Sequence, residues 1–395
     1  MSNSILTPTA VTREAIRVLH QKLNFVGSID RQYDDRFANE GAKIGDSLKI
    51  RMPNQYTVTT GKALNTQDVA ETSQTLTVAT QKHVGMNFST AELTMSIDDF
   101  SKRIIDPAMS VLAASIEADA MSMYDDVYNS VWGSAASYAD VLNGRVLMQR
   151  GLAPSGDRTA NLSSQDMVDV VSDTKTLFND QAQLSKHYRE FYMGRAAGFD
   201  FVENTLWSNH TTGGEDAAYV VNTSTGITSG SATVAVTAGT GTLALGDVFT
   251  IVGVYSVHPE TKVSTGVLQQ FVITAAYAGG AGNITVSPTP VTSGATQNVT
   301  IVSAGASKAV VVAGTASTAY STSLLYQKEA FTFATADLVM PKGVDFARRE
   351  VVDGISLRLV RDYDINNDNL PCRVDVLYGY KTLRPEWATR LHYTV

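Results

Sequence analysis

The stretch from residue 222 to residue 318 constrains the fold most, because it is nearly free of charge within an otherwise charged chain. Its only charged residues are Asp247, Glu260, Lys262 and Lys308, and Gly, Ser, Thr, Ala and Val supply most of the rest. Strand-like runs recur, with Gly, Pro or Ser between them, near 232–237, 248–257, 267–275, 283–287, 298–303 and 309–313. Many short strands at nearly regular spacing predict a small antiparallel barrel or sandwich.

Charged and aromatic sequence returns after this block. The C-terminal stretch GISLRLVRDYDINNDNLPCRVDVLYGYKTLRPEWATRLH is strand-forming, but it is too short to bury a good core alone. We therefore expect it to pair with strands from before residue 222. This pairing makes 222–318 an insertion within a host domain, in a chain of 395 residues that has room for about two or three domains.

The stretch GTLALGDVFTIVGVYSV, residues 241–257, raises the question of a phosphate-binding loop. Glycines stand at positions 239, 241 and 246, which is not the G-x-G-x-x-G spacing, and the sequence after them is strand-like. A phosphate site needs the amides and dipole of a helix N-terminus at that point. The stretch instead predicts a turn at Gly246-Asp247 and a nearly fully buried strand, Val248–Val257.

A long helix is predicted over residues 106–132. Asp106 can cap it and Pro107 suits its first position. One apolar face then follows in steps of three and four: Leu112, Ile116, Ala120, Met123, Val127 and Val131. The pair Asp125-Asp126 falls on the polar side, where a solvated face explains it better than a catalytic dyad.

The remaining host sequence predicts two helices, a hairpin and a loop. Residues 7–23 predict a short amphipathic helix that lies as an arm on another surface, and a second helix begins at Ser163-Ser164. Residues 46–90 hold two strand-like runs with Thr- and Gln-rich tips. Such a long hairpin cannot be buried in its own domain, so it extends into solvent or lies across a neighbouring molecule. The stretch AAGFDFVENTLW is predicted to be a loop with aromatic anchors.

No group of residues assembles an active site. There is no G-x-S-x-G elbow, and the six histidines show no H-E-x-x-H motif. NHTTGGED offers His210, Glu215 and Asp216, but a Gly-rich polar loop is the favoured interpretation. RDYDINNDN, residues 361–369, lacks the glycine and final glutamate of an EF-hand, so an Asx-rich turn explains it. We predict no catalytic, metal-binding or cofactor-binding residues and no cofactor.

Charge and cysteine content exclude further classes of protein. The net charge is −8 and the sequence pI is about 5.3, without the basic face that dedicated nucleic-acid binding needs. The only cysteine, Cys372, excludes an intramolecular disulfide, and we expect it to be a packed, inert thiol. No apolar run reaches the roughly 20 residues of a membrane span, and the N-terminus lacks a signal-peptide layout. We therefore expect synthesis in a cytoplasm and no membrane contact.

Three motifs, in their order, resemble the major capsid (coat) proteins of tailed bacteriophages, which have the Hong Kong 97-type fold. They are GFDFVENT before the insertion, GTLALGDVFTIVGV with HPETK inside it, and RVDVLYGYKTLRPEWATRL at the C-terminus. More narrowly, the chain is similar to the inserted-domain branch typified by a Salmonella podovirus. The resemblance covers essentially the whole chain. It implies an α+β fold with a long spine helix, an extended hairpin (E-loop) and an inserted antiparallel β-barrel domain.

The resemblance also implies how the chain is divided into domains. The implied parts are an N-terminal arm at 1–45, the extended loop at 46–90, a peripheral domain from 91–149 with the spine helix and from 355–395, an axial domain from 150–221 and 319–354, and the inserted barrel at 222–318.

The implied function is that of a major capsid protein in a virion. Copies would assemble as pentamers and hexamers into an icosahedral shell in the cytoplasm of a bacterial host, with a scaffolding protein and a portal as partners. The shell would enclose double-stranded DNA without sequence-specific binding. Each extended hairpin would lie over a neighbour, and we predict Arg51, Lys62 and Lys82 as contacts to acidic neighbours. Such exposed ion pairs are each worth under about 1 kcal/mol.

Two other classes of function remain as alternatives. The Thr/Ser/Gly-rich insertion is also compatible with a β-rich surface-binding, decoration or adhesin protein, although the long helix and the missing secretion signal disfavour an adhesin. An enzyme with a dispersed site is disfavoured because every motif tested above fails.

Overall fold

The computed structural model describes residues 8–34, 46–64, 66, 72–89, 104–174, 194–352, 354–365 and 369–395. The α-helices are α1 Pro8–Lys22, α2 Phe25–Ser28, α3 Asp106–Met121, α4 Tyr138–Arg150 and α5 Ser164–Thr174. The strands are β1 Asp30–Asp34, β2 Asp46–Met52, β3 Thr72–Val78, β4 Thr80–Ser89, β5 Ser130–Gly133, β6 Arg158–Leu162, β7 Arg195–Ala196, β8 Phe199–Glu203, β9 His210–Thr211, β10 Val220–Asn222, β11 Thr233–Thr237, β12 Val248–Val257, β13 Ser264–Ile273, β14 Gly282–Ser287, β15 Val299–Ile301, β16 Ser307–Val312, β17 Ala319–Gln327, β18 Phe331–Ala336, β19 Phe346–Val352, β20 Ile355–Arg361, β21 Asn369–Thr382 and β22 Ala388–Thr394. Short 3-10 helices lie at Ser122–Asp126, Lys328–Ala330 and Pro385–Trp387.

The chain divides into two compact units. The first contains residues from 1–52, 73–122 and 331–383, and the second contains residues from 53–72, 123–330 and 384–395. In this division 53–72, 123–149 and 384–395 belong to the second unit and 331–354 belongs to the first. The predicted division into arm, extended loop, peripheral, axial and inserted parts stays a prediction. The positions of these units in a shell stay a prediction.

The first unit is built on a mixed sheet of order β1-β18-β21-β20-β19, with β4 also paired to β21. The long strand β21 is its centre, because it hydrogen-bonds β18, β20 and β4 in antiparallel register. Helix α1 packs against α3, β19 and β20. It buries Ala15, Ile16, Val18 and Leu19. The predicted N-terminal helix is therefore present and packs on its own unit, and a contact with another molecule stays a prediction. Cys372 is buried in β21, and burial raises the pKa of its thiol to about 12, as expected of an inert group.

The predicted spine helix over 106–132 is wrong in its length. Helix α3 ends at Met121, a short 3-10 turn follows, and Val131 lies in strand β5. The helix stops where the chain passes from the first unit into the second, at residues 122 and 123. The apolar spacing continues past this point because Met123 and Val127 are also buried, but they contribute to a different core.

The predicted hairpin over 46–90 is shorter than expected. Strands β2 and β3 form a two-stranded sheet, whereas β4 pairs with β21 over ten residues, from Ser89↔Asn369 to Thr80↔Tyr378. The second predicted strand is therefore two strands, β3 and β4. Strand β4 is part of the sheet of the first unit, where β21 supports it. Leu76 and Val78 of β3 are buried against Ala334, Ala336 and Leu377 of the first unit.

The host sheet of the second unit has the order β5-β22-β17-β6-β8-β7, with β9 also paired to β17. Strand β17 is central, with β22 on one side from Tyr320↔Thr394 to Tyr326↔Ala388 and β6 on the other. The C-terminal strand therefore pairs with sequence on both sides of the insertion, as predicted from its length. Phe199–Glu203, predicted as part of a loop, is strand β8, and the helix predicted at Ser163-Ser164 is α5.

The insertion is a closed antiparallel barrel. Its strands follow the order β13-β14-β11-β10-β16-β12, and β12 pairs back to β13, with β15 added alongside β12. Each of the six predicted strands is present, and β10 adds a seventh that begins before residue 222. Closure removes free sheet edges and surrounds a core centred on Phe249 and Phe271, whose rings stack 5.7 Å apart. Strand β12 has the predicted bounds but is not buried throughout, because Val252 is 43% exposed.

No helix in the described ranges is long and apolar enough to cross a membrane.

One buried carboxylate in α3 organises the start of the first unit. Glu117 is 1% exposed. Its Oε1 accepts the backbone N–H groups of Asn24, at 2.7 Å, and Phe25, and its Oε2 accepts that of Val26 at 3.2 Å. Burial raises the pKa of this carboxyl, and the three N–H donors oppose that rise. The side chain therefore supplies acceptors that the first turn of α2 cannot provide for itself.

Glu117→Ala should destabilise the first unit by roughly 2–4 kcal/mol, because buried N–H groups would lose their acceptors. The measurement is amide hydrogen exchange at residues 24–26 together with urea unfolding followed by circular dichroism. Glu329→Ala, at an exposed position, is the control and should change the free energy of unfolding by under about 0.5 kcal/mol. Equal exchange rates in the two variants would contradict this role for Glu117.

Candidate functional site: a buried polar junction between barrel and host sheet

The barrel leaves the host sheet and returns to it at one place. Strand β9 enters the insertion and pairs with the start of β17, which leaves it, through Thr211↔Ala319 and His210↔Tyr320. The next residue, Thr212, donates its N–H to the carbonyl of Thr318 at 3.1 Å, and the N–H of Thr318 donates to Oγ1 of Thr212 at 3.1 Å. The two crossings are therefore joined by hydrogen bonds, and the site beside them holds the barrel to the host.

Asp247, in the turn before β12, is the central group of this junction. Its side chain is fully buried. Its Oδ2 accepts the N–H groups of Ala244, at 2.7 Å, and Gly213, at 3.0 Å, and its Oδ1 lies 2.9 Å from Nε2 of His210. One carboxylate thus connects a barrel turn, the segment that enters the barrel and strand β9, which directly precedes that segment.

Arg390 of β22 brings a buried positive charge to the same place. Its Nη2 donates to the carbonyl of Gly246 at 2.8 Å, and the guanidinium lies 5.8 Å from the ring of Tyr124. Burial lowers the pKa of Arg390 to about 10, and the negative charges of Asp125 and Asp247 oppose that shift. Within the part of the chain that the structure describes, its Nε and Nη1 have no hydrogen-bond partner. Charge attraction rather than a full set of hydrogen bonds therefore balances this group.

Asp125 is half-buried beside this arginine, so the predicted solvated face is wrong for this residue. Burial raises the pKa of Asp125, while the charges of Arg390 and His210 lower it. The turn across from it requires glycine: Gly246 has φ +86°, and a Cβ there would stand 2.5 Å from Oδ1 of Asp125. The close approach of the two segments therefore depends on a residue without a side chain.

His392, also on β22, completes the junction on its aromatic side. Its ring stacks on Trp132 with centroids 4.3 Å apart and lies 5.6 Å from the ring of His210. Burial, followed by the charges of Arg390 and His210, holds the pKa of His392 well below its usual value, so the ring is neutral at pH 7. A second proton here would place an unpaired charge in the interior.

The charged groups of the junction are buried or half-buried and contact one another within the chain. Among the described residues no group of three or more His, Cys, Asp or Glu side chains could hold a metal ion. The 361–369 segment falls partly outside those residues, since positions 366–368 are not described. His210, predicted to lie in a polar loop, is buried in β9 instead, while Asp216 is exposed as expected.

The three predicted contact residues do not come together. Arg51 and Lys62 are exposed. Lys82 instead bonds within the chain: its Nζ lies 2.7 Å from Oδ2 of Asp119 and donates to Oγ of Ser115 at 2.7 Å. The same Asp119 oxygen accepts the hydroxyl of Tyr378 at 2.6 Å. Contact of Arg51, Lys62 or Lys82 with a neighbouring subunit stays a prediction.

The sequence predicted Gly246 and Asp247 only as turn residues, and it did not predict the junction. One signal was available, because Asp247 is the only acidic residue in the first 38 positions of the nearly uncharged block. A lone carboxylate beside a glycine in an apolar module indicates a buried partner. Arg390 and His392 carried no such signal, since they lie in an ordinary alternating strand.

Comparison with known proteins gives one family. A family model described as "P22 coat protein - gene protein 5" matches residues 7–390. No curated protein matches the chain.

Several solved structures are similar in fold at low identity. The mature capsid of bacteriophage PhiM1 matches with a TM-score of 0.47 and 11% identity, covering 94% of this chain and 87% of that one. A structure from Mycobacterium phage Che8 matches with a TM-score of 0.44 and 10% identity, covering 93% of this chain and 90% of that one. The head structure of Helicobacter pylori bacteriophage KHP40 matches with a TM-score of 0.43 and 10% identity, covering 92% of this chain and 86% of that one. Because these TM-scores lie below 0.5, it is the family match that bears on what the chain is.

Asp247→Asn should lower the free energy of unfolding of the second unit by about 2–4 kcal/mol, because an amide keeps one acceptor oxygen and removes one of the two negative charges that balance Arg390. The chain's three tryptophans, Trp132, Trp207 and Trp387, all lie in that unit, so their fluorescence during urea unfolding is the measurement. Asp216→Asn makes the same chemical change at an exposed position and should have little effect. A similar loss in both variants would count against the junction.

His392→Phe should make the second unit less sensitive to acid. In the wild type the unfolded imidazole takes up a proton near pH 6.5, while the folded one, buried and facing Arg390 and His210, does not. The unfolded state then binds more protons, so stability falls as the pH drops below about 6.5, by at most about 1.4 kcal/mol per pH unit for this group. Urea unfolding at pH 7.5 and 5.5 measures the slope, with His83→Gln, at an exposed site, as the control. Equal slopes in wild type and His392→Phe would refute the assignment.

Proposed function

The chain belongs to the P22 coat protein family, and from this premise we propose how it builds a shell. As a member of that family it is a phage major capsid protein that forms the virion shell. Copies associate as pentamers and hexamers around double-stranded DNA, a scaffolding protein guides assembly in the host cytoplasm, and a portal occupies one vertex. The observation that carries the proposal is the match of a coat-protein family over residues 7–390.

The proposed mechanism is association rather than catalysis. In the segment between β2 and β3, Tyr56, Val58 and Leu64 are 57%, 96% and 89% exposed. Apolar side chains exposed together mark a surface for another protein. In the shell a neighbouring subunit covers them, with Arg51 and Lys62 as polar contacts at the rim. Each contact is weak, so stability comes from many contacts summed over the lattice.

The inserted barrel acts as a brace for the host sheet. Two observations support this role: the hydrogen-bonded crossings at Thr212 and Thr318, and the junction in which Asp247 and Arg390 meet. A closed barrel has its own core and can fold by itself before the host sheet is complete. It then presents Asp247 and the carbonyl of Gly246 as ready partners for β22, which follows the barrel in the chain.

The net charge of −8 suits a shell that encloses DNA without adhering to it. Phosphate backbones bind proteins through basic faces, and the chain has an excess of acidic residues instead.

Assembly is the test of this function. The chain expressed with its scaffolding partner should give closed shells by sedimentation and negative-stain microscopy. Replacing residues 56–71 by a short Gly-Ser linker, which keeps β2 and β3, should leave a folded subunit that forms no stable shells. The matched control replaces the exposed barrel loop 303–306 with Gly-Ser residues and should assemble normally. A wild-type chain that stays monomeric under every condition, or normal shells from the 56–71 variant, would contradict the proposal.

A further inference from the structure

A groove within the second unit lies between the barrel and the host and is separate from the buried junction. Its volume is about 630 Å³, within the range of sites that hold a ligand or a short peptide segment. The barrel side is formed by β13 and the turn before it, including Pro259 and Val267, and the host side by the end of α4 and the turn at Pro385–Trp387.

The groove carries an excess of positive charge. Arg150, Lys262 and Arg384 line it, and among its described lining residues Glu386 is the only acidic one. Burial raises the pKa of that glutamate, which favours its neutral form. None of the three cations forms an ion pair with a described residue, whereas Arg349, Arg358 and Arg361 in the first unit each pair with an aspartate.

The groove also exposes apolar surface at a strained position. Leu152 lines it with φ +59° and a side chain that is 39% exposed. A bulky residue rarely adopts this left-handed conformation, and such strain persists where the surroundings enforce it, commonly at functional sites. Trp387 supplies an aromatic surface beside it, with the Arg384 guanidinium 4.0 Å above its ring.

Hydrogen bonds hold both walls in place. The side-chain amide of Gln270 in β13 accepts the N–H of Ser130 at 2.9 Å and donates to the Ser130 carbonyl at 3.0 Å. The indole N–H of Trp387 donates to the carbonyl of Gly151 at 2.9 Å. The groove is therefore formed before anything binds, which lowers the entropy cost of binding.

The chain itself carries a segment of complementary character, the turn that follows β20. In residues 362–365, DYDI, Asp362 is exposed, and Tyr363 and Ile365 are 47% and 80% exposed. The turn is narrow because the N–H of Asp364 donates to the carbonyl of Asn369 at 2.8 Å. Two carboxylates and two exposed apolar side chains on one turn match a groove that offers three cations and an apolar floor.

We propose that the groove of one subunit receives the 362–365 turn of a second copy in the shell. This inference rests on the proposed function, since it requires copies to assemble. The exposed carboxylate of Asp362 meets Arg384, and Ile365 packs on the apolar surface to which Leu152 and Val267 contribute. The contact adds a charge-matched element to the lattice, at a groove that Gln55 of the segment between β2 and β3 also lines.

Cysteine crosslinking tests the contact. Shells are assembled from an equal mixture of Ile365→Cys and Val267→Cys chains and oxidised, and a disulfide requires the two Cβ atoms to come within about 4.5 Å. A covalent dimer is expected from this mixture and none from Ile365→Cys mixed with Val302→Cys, an exposed barrel valine outside the groove. Cys372 is buried and should not react.

Charge reversal gives an independent measurement. Arg384→Glu and Asp362→Lys should each slow assembly by roughly two- to fivefold, as expected for exposed ion pairs, and the chain carrying both should recover the wild-type rate. Lys342→Glu, an equal charge change at an exposed position in the first unit, should leave the rate unchanged.

Shells of the Ile365→Cys and Val267→Cys mixture that assemble but form no crosslink, or a double charge variant without recovery, would overturn this contact while leaving the proposed function intact. A groove filled by DNA or by an acidic segment of another protein gives that same result. Wild-type chains that form no shells would overturn both.

Discussion

The arrangement of the second unit depends on one buried carboxylate. Asp247 sits in a turn of the barrel, and it contacts both Ala244 of that turn and the segment entering the barrel, through Gly213 and His210. A buried charge without partners is costly, so these segments must come together when the turn is buried. The positive charge of Arg390 arrives on the last strand of the host sheet. Barrel and host are thereby held by a requirement of charge balance as well as by packing.

This constraint explains how an insertion of nearly a hundred residues is tolerated in the middle of a sheet. The chain leaves the host sheet at Thr212 and returns to it at Thr318, and these two residues are hydrogen-bonded to each other. The insertion is therefore a closed loop between the paired strands β9 and β17. The six closed strands of the barrel surround their own core, so the barrel disturbs the host little. The contacts of Gly246 and Asp247 with the host also stabilise the host sheet. In a coat protein, an insertion of this kind can enlarge the surface of the subunit without changing the host sheet.

Local pattern and tertiary structure disagree most clearly at α3. The steps of three and four from Leu112 to Val131 are real, and their members are buried or partly buried, but the helix ends at Met121. Helical periodicity reports that residues face an apolar environment, and it does not say that the environment is one core. Here the chain crosses between units at residue 122, and the later apolar residues serve the second. The same limit applies to the 72–89 run, where one alternating pattern covers β3 and β4 although they pair in different sheets.

The sequence by itself determined the α+β class, the insertion, its strands and the coat-protein family, because these depend on local properties. Charge depletion marks the block 222–318, Gly and Pro mark its turns, and ordered motifs mark the family. The tertiary structure alone decided which side chains meet. Asp247 and Arg390 are separated by more than 140 positions, and Lys82 meets Asp119 rather than standing free at a rim. No local pattern encodes these pairings, since they arise from strand order and barrel closure, through which distant segments share one interior.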